Sequence, residues 1–179
     1  MAFFESVPEE QIPPQVKELM EYARRRGKAG QIGPIFYALA KYPRLIKAVV
    51  QASDELIPIP NRFGAAQGVA GMLISHGRKC GPCFDAQRKF LLKLGFDDAA
   101  LDKMCELPST LPLPERDRRF VEFTLRVALD PGGLKLEDFR EMERAGFAKD
   151  ELLEMIGVAA FWNFMTTMSS AVGAGSREE

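Results

Sequence analysis

Residues 157–175, GVAAFWNFMTTMSSAVGAG, contain no charged side chain. A run of that length and neutrality leaves two ways to fold: it spans a bilayer, or it is a helix wrapped by protein on most sides. Asn163, Thr166, Thr167, Ser169 and Ser170 interrupt it, and Leu, Ile and Val are too sparse for a lipid-facing helix. The expected outcome is a buried helix, at the centre of the subunit or between subunits, with no membrane contact.

The rest of the chain reads as helix after helix. Pro13-Pro14 opens the first, with Val16, Leu19, Met20 and Ala23 at helical spacing and Gly27 as its stop. A short segment follows over about Pro34 to Lys41. Pro43 starts another helix through Leu56, closed by Pro58 and Pro60. Arg62 to about Gly77 reads as a helix rich in Gly and Ala, whose backbone can approach its neighbours closely. A fifth helix starts at CGPC and ends at Gly95, and Asp97 or Asp98 caps a sixth. Pro114 leads into a seventh, closed by Asp130-Pro131-Gly132-Gly133. Two more are expected near Glu137–Ala145 and Asp150–Val172. No segment alternates with period two beside hairpin chemistry, so the expected fold class is all-α.

With 179 residues, 46% hydrophobic and 27% charged, the chain suits a single domain over 1–179, with 1–13 and 174–179 as loose ends. Lys plus Arg number 24 against 25 Asp plus Glu, a net charge of −1. That balance argues against a nucleic-acid or anionic-membrane footprint. The opening MAFFESVPEEQ lacks a basic segment followed by an apolar run, so a cytoplasmic protein is expected.

A weak repeat runs through the second half. Leu94-Gly95-Phe96 followed by Leu101 and Met104 matches Ala145-Gly146-Phe147 followed by Leu152 and Met155. Each unit reads as helix, glycine cap, Phe, helix, a pattern shared by duplications and by ordinary helical hairpins. The positions matching Cys80 and Cys83 are Pro131 and Leu134, so only one copy carries thiols.

Those thiols are the sharpest chemical signal. In Cys80-Gly81-Pro82-Cys83 two intervening residues put both sulfurs within bridging reach when the pair opens a helix. The unpaired N–H groups and partial positive charge of a helix N-terminus favour thiolate over thiol. Pro82 fits the first turn because it has no N–H to lose, and Arg78 and Lys79 add positive charge. Three readings stand: a redox dithiol, a zinc half-site, or two inert thiols at a packed helix start. Zinc asks for four ligands, and only Cys105 and His76 remain, so no metal and no cofactor are expected. Thioredoxins also use CGPC, but after a β-strand, and no strand is evident.

The dithiol in an all-helical setting resembles the carboxymuconolactone decarboxylase/alkylhydroperoxidase D-like superfamily, in its peroxidase-related branch. Val69–Phe90 resembles that family's core: a small-residue helix, a turn containing Ile74-Ser75, the CxxC, then an amphipathic helix. IGPIFYALAKYPRLIKAV and AGFAKDELLEMIGVAAFWNFMTTMSSAVG resemble its flanks, so the likeness runs from about Pro14 to Gly173. The resemblance implies an alkylhydroperoxidase D-like helical bundle with the CxxC at a helix N-terminus. It also implies a homo-oligomer, commonly a trimer or hexamer, and Cys83 as the attacking thiol. Family peroxidases carry a Glu twelve residues before the first Cys and a His four residues after the second, as a proton relay. Here those positions are Gly68 and Gln87. Gln87 falls on the helix face of Cys83 and hydrogen-bonds, but it is no base near neutral pH.

The candidate site residues are therefore Cys80, Cys83, His76 and Gln87. His76, the single histidine, precedes Cys80 by four residues. It reads as a replacement base reaching the dithiol across the turn, or as a helix-end residue complementing a dipole. General accessibility favours Cys80 as attacker. Asp85 reads as solvated, Cys105 as a semi-buried thiol, and Trp162 with Phe161, Phe164, Met165 and Met168 as core or interface. Arg24-Arg25-Arg26-Gly27-Lys28 reads as a helix end. The expected function is a thiol–disulfide oxidoreductase of alkylhydroperoxidase type, acting on a peroxide or disulfide and recycled by a thioredoxin-like or other dithiol reductant. The missing Glu and His predict weak peroxidase activity. The alternative is a non-catalytic oligomeric scaffold or partner-binding protein that has lost the chemistry.

Overall fold

The computed structural model describes residues 4–26, 32–58, 61–106 and 112–173. Within them the chain is helical, without strands. The helices are α1 (Pro14–Arg26), α2 (Pro34–Ala38), α3 (Pro43–Leu56), α4 (Ala65–Gly77), α5 (Gly81–Lys93), α6 (Asp98–Glu106), α7 (Glu115–Leu129), α8 (Leu136–Arg144) and α9 (Lys149–Ala171). Pro34 and Pro43 sit in the first turns of α2 and α3, where a missing N–H costs nothing. Asp97 caps α6 by accepting the Ala100 N–H at 3.0 Å. Gly27, Pro60 and residues 174–179 lie outside the described residues.

One boundary moves. The helix expected from Arg62 begins at Ala65. Asn61 Oδ1 accepts the Phe63 N–H at 2.9 Å and holds a turn. Gly64 then takes φ +52°, a left-handed conformation that glycine supplies without strain. The turn lays Phe63 on Phe120 with ring centroids 4.0 Å apart.

The fully wrapped helix is α4, not the last helix. Ten consecutive residues, Ala66 to Ser75, are buried, and α5, α6, α7 and α9 all pack on it. Small residues make this possible. A Cβ on Gly71 would stand 2.6 Å from Cζ2 of Trp162, so only glycine admits that indole. The uncharged run in α9 instead faces inward with its large side chains: Phe161 and Trp162 are buried, while Ala160, Thr167, Ser170 and Ala171 are exposed. Those four residues make its outer side small and uncharged, and Phe164, Met165 and Met168 are half-buried. No helix among the described residues is long and apolar enough to cross a membrane.

Two cores result. The larger joins α4 to α9 around Val69, Leu91, Phe120, Met155 and Trp162. The smaller joins α1–α3 to the end of α9 around Val16, Ile46, Val49 and Val172. Among the described residues, 4–13 are seated on the second core, against the expectation of a loose end there. Val7 and Ile12 are buried in it, and Val7 donates its N–H to the Tyr37 carbonyl at 3.0 Å. Two spaced apolar side chains are enough to seat a segment that has no helical pattern of its own.

Candidate active site

The turn between α4 and α5 builds the site. Cys80 N–H donates to the Ser75 carbonyl at 2.9 Å, and Lys79 N–H donates to the His76 carbonyl at 2.9 Å. This is the paired closure of a Schellman motif, which asks for a left-handed residue just past the helix end. Lys79 fills that place at φ +55°, the single non-glycine residue with positive φ among those described. The same closure ends α5 at Gly95 and α8 at Gly146, with Phe96 bonding Leu91 and Phe147 bonding Met142. The repeat seen in the sequence is thus a repeat of helix caps.

The motif delivers Cys80 to the N-cap of α5 and Cys83 to its first turn. Both thiols are free and buried, Cys80 at 1% exposure and Cys83 at 7%. The pKa of the Cys80 thiol is lowered to about 6, mainly by a hydrogen bond from the Cys83 thiol, against the opposing effect of burial. The Cys83 N–H adds to the lowering without closing a full cap bond, and the Ser170 and Ser169 hydroxyls add more. Cys83 moves the other way: as donor to Cys80, and buried, it holds its proton far more tightly than an ordinary thiol. Its sulfur also faces the Met165 carbonyl at 4.0 Å. The two directions favour loss of the Cys80 proton before that of Cys83.

Ser169 and Ser170 are the participants that sequence reasoning left in the neutral run of α9. Met165 and Ser169 stand one turn apart on that helix, so one face of α9 presents a carbonyl and a hydroxyl to the dithiol. Their distance in sequence from Cys80 hides them. A hint lies in the pair of adjacent serines inside an otherwise apolar, buried run.

His76 is exposed at the end of α4, and its ring lies 5.7 Å from that of Phe84, tilted by 50°. Gln87 is half-buried on α5, one turn after Cys83, and it lines a cavity whose wall also includes Gly68. The two positions that the resemblance assigns to a relay therefore do come together, but carry no ionisable group. A Cβ on Gly68 would stand 2.8 Å from Cε1 of Phe90, so a side chain there requires that ring to shift. Asp85 is exposed. Cys105 is half-buried on α6, and burial raises its pKa. Arg24 pairs with Glu21 at 3.4 Å on α1. Accessibility does not favour Cys80, since Cys83 is the more open of the two. No group of three or more His, Cys, Asp or Glu side chains among the described residues is placed to hold a metal ion.

No protein-family model matches the sequence, and no curated protein matches it. Solved structures do. An uncharacterised peroxidase-related protein from Ralstonia eutropha JMP134, described as an alkylhydroperoxidase AhpD core, superposes with a TM-score of 0.82. It is 20% identical, over 98% of this chain and 92% of that one. This chain has the AhpD-like fold. An uncharacterised peroxidase-related protein from Silicibacter sp. TM1040 shares the AhpD-like fold at TM-score 0.77 and 16% identity, over 96% and 90% of the two chains. So does the debrominase Bmp8, solved as a cysteine-to-alanine variant in complex with 2,3,4-tribromopyrrole, at TM-score 0.80 and 14% identity, over 99% and 92%. The AhpD-like fold thus houses proteins described as peroxidase-related and one described as a debrominase.

Proposed function

We propose that this protein is a thiol–disulfide oxidoreductase that works through the Cys80–Cys83 dithiol. The observation that carries this reading is a pair of free thiols at the N-cap and in the first turn of α5, placed so that the pKa of Cys80 is lowered and that of Cys83 raised. A thiolate attacks, and a protonated neighbour waits to resolve. The AhpD-like fold, which peroxidase-related proteins share, supports the same class.

In the forward half-cycle the Cys80 thiolate attacks a sulfur of a substrate disulfide, RS–SR. A Cys80–SR bond forms and RS⁻ leaves. The Cys83 sulfur then attacks Cys80, its proton passes to the departing second RS⁻, and the Cys80–Cys83 disulfide closes. The substrate gains two electrons and the protein loses two. An external dithiol of thioredoxin-like class returns them. With a peroxide ROOH, the thiolate takes the outer oxygen as a sulfenic acid, and RO⁻ leaves and picks up a proton. Cys83 resolves the sulfenate with loss of water. The peroxide route needs a proton for the leaving oxygen, which general acid catalysis speeds by about 10²–10⁴-fold. With Gly68 and Gln87 in the relay positions, the disulfide route is the better served. We further propose a cytoplasmic homo-oligomer, trimer or hexamer, as the working form.

The rival is a non-catalytic scaffold, favoured by the loss of both relay residues. One experiment separates the two. The protein is equilibrated across a glutathione redox series, its thiols are trapped, and each cysteine is followed by mass spectrometry. A single two-electron transition that joins Cys80 to Cys83, spares Cys105 and turns over with thioredoxin supports the oxidoreductase. Independent labelling of the three thiols defeats it.

A further inference from the structure

The dithiol sits in a basic stretch of an otherwise balanced chain. From Ala65 to Phe96 there are five Lys or Arg and one acid, Asp85, whereas the whole chain has a net charge of −1. Arg88 spends its charge on Asp98 and Asp102 of α6, at 2.8 and 2.6 Å. Arg62, Arg116 and Arg126 are likewise held by carboxylates. Arg78 and Lys79 differ. Both are exposed in the turn between α4 and α5, and neither pairs with a carboxylate among the described residues.

The neighbouring elements supply little counter-charge. The half of α9 from Gly157 to Ala171 is uncharged. Asp85 is exposed on α5. Asp130 follows Leu129, which closes over Gly77, and its carboxylate accepts the Gly133 N–H at 3.1 Å. Both sulfurs are nearly enclosed, Cys80 at 1% exposure and Cys83 at 7%. A partner therefore meets the field of the surrounding residues before it meets sulfur. Charges of one sign around a site raise the encounter rate of the opposite charge by about 10–10³-fold. Arg78 and Lys79 are the two residues before Cys80, so their Cα atoms lie within about 8 Å of its own. A carboxylate that pairs with them is then a few bonds from the disulfide under attack.

We propose that the substrate of this dithiol is a small disulfide with carboxylate-bearing arms, drawn in by the unpaired charges of Arg78 and Lys79. The inference rests on the oxidoreductase reading and names the substrate class within it. The Cys80 sulfur bonds one sulfur of the substrate, and the first carboxylate-bearing thiolate leaves with the electron pair of the broken S–S bond. The Cys83 sulfur displaces the second thiolate, which takes the Cys83 proton, and the Cys80–Cys83 disulfide closes. The substrate gains two electrons and the protein loses two.

The test compares dithiodipropionate, hydroxyethyl disulfide and cystamine, which are similar in length and are dianionic, neutral and dicationic. Oxidation of Cys80 and Cys83 in the reduced, full-length protein is followed by thiol trapping and mass spectrometry. Each rate is divided by that of mercaptoethanol with the same disulfide, which removes differences in leaving-group reactivity. At about 0.01 M salt the expected order is dithiodipropionate, hydroxyethyl disulfide, cystamine, with about tenfold or more between first and last. At about 1 M salt, where screening acts within about 3 Å, the three converge. Arg78→Gln with Lys79→Gln removes most of the spread at low salt, and Arg78→Glu with Lys79→Glu inverts the order. The spread is a ratio, so a change in thiolate fraction, common to all three probes, cancels. The inference is overturned, and the oxidoreductase reading stands, if the three corrected rates agree at low salt, if the spread survives high salt, or if the double Gln variant keeps it. If none of the three oxidises the pair, both fall.

Discussion

Gly68 and Phe90 are in contact, and a Cβ on Gly68 would lie 2.8 Å from the Phe90 ring. The relay position twelve residues before Cys80 is therefore filled by an aromatic ring reaching over from α5. Gly68→Glu adds volume to a packed helix and is expected to cost about 1–3 kcal/mol. The double variant Gly68→Glu with Gln87→His, an obvious way to restore peroxidase chemistry, is expected to melt lower and gain little turnover. Adding Phe90→Ala opens the space, and peroxide reduction then rises above that of the double variant. Thermal melts and peroxide-consumption assays on the three variants check this order.

The thiol pair gives a pH signature. Alkylation of Cys80 follows its thiolate fraction, so its rate is expected to rise through about pH 6 and flatten before neutrality. Cys83→Ala removes the main donor to Cys80 and moves the midpoint up. Ser169→Ala and Ser170→Ala move it in the same direction by less, since each supplies a smaller share. Rates of iodoacetamide labelling against pH, read by peptide mass spectrometry, check each shift.

Stability follows from the same two directions. Below about pH 6 both thiols are protonated in the folded and the unfolded chain, and ionisation contributes nothing. Between about 6 and the unfolded thiol value of about 8.5, the folded protein has released the Cys80 proton and the unfolded chain has not, so stability rises with pH. Above that value the unfolded chain releases both protons while folded Cys83 keeps its own, so the contribution falls again. Urea midpoints of the reduced protein, minus those of Cys80→Ser with Cys83→Ala, are expected to peak at about pH 8–9. A difference that is flat with pH would contradict the division of roles.

Much of this architecture was legible in the sequence because it is local. Prolines at helix starts, glycines at helix ends and the spacing of Val16, Leu19 and Met20 are near-neighbour signals, and the helices follow them closely. The N-terminal turn of α5 was legible for the same reason. What depended on tertiary contact was not. The wrapped helix was sought in the neutral run of α9, whereas α4 holds that place because Gly71 and Gly68 admit Trp162 and Phe90. Val7 and Ile12 carried too little pattern to show that the N-terminal segment docks. Ser169 and Ser170 reach the dithiol only through the packing of α9 on α5.

Lys79 offers a test of the turn itself. It holds φ +55° immediately before Cys80, in a place where α5 and α8 are followed by glycines. That conformation costs an L-residue about 1–2 kcal/mol. Lys79→Gly removes the cost, while the greater freedom of an unfolded glycine offsets about 0.5–1 kcal/mol of the gain. The net expectation is a stabilisation of up to about 1 kcal/mol, which for a domain of this size raises Tm by about 2–4 °C. Lys79→Ala keeps the backbone cost and removes the same charge, so it is expected to leave Tm nearly unchanged and separates strain from electrostatics. Both variants take a positive charge from beside the Cys80 thiolate, so both are expected to raise its labelling midpoint slightly and equally. If Lys79→Gly stabilises the fold yet moves that midpoint much further than Lys79→Ala does, then the strained turn, and not the lysine charge, sets where Cys80 stands at the helix start.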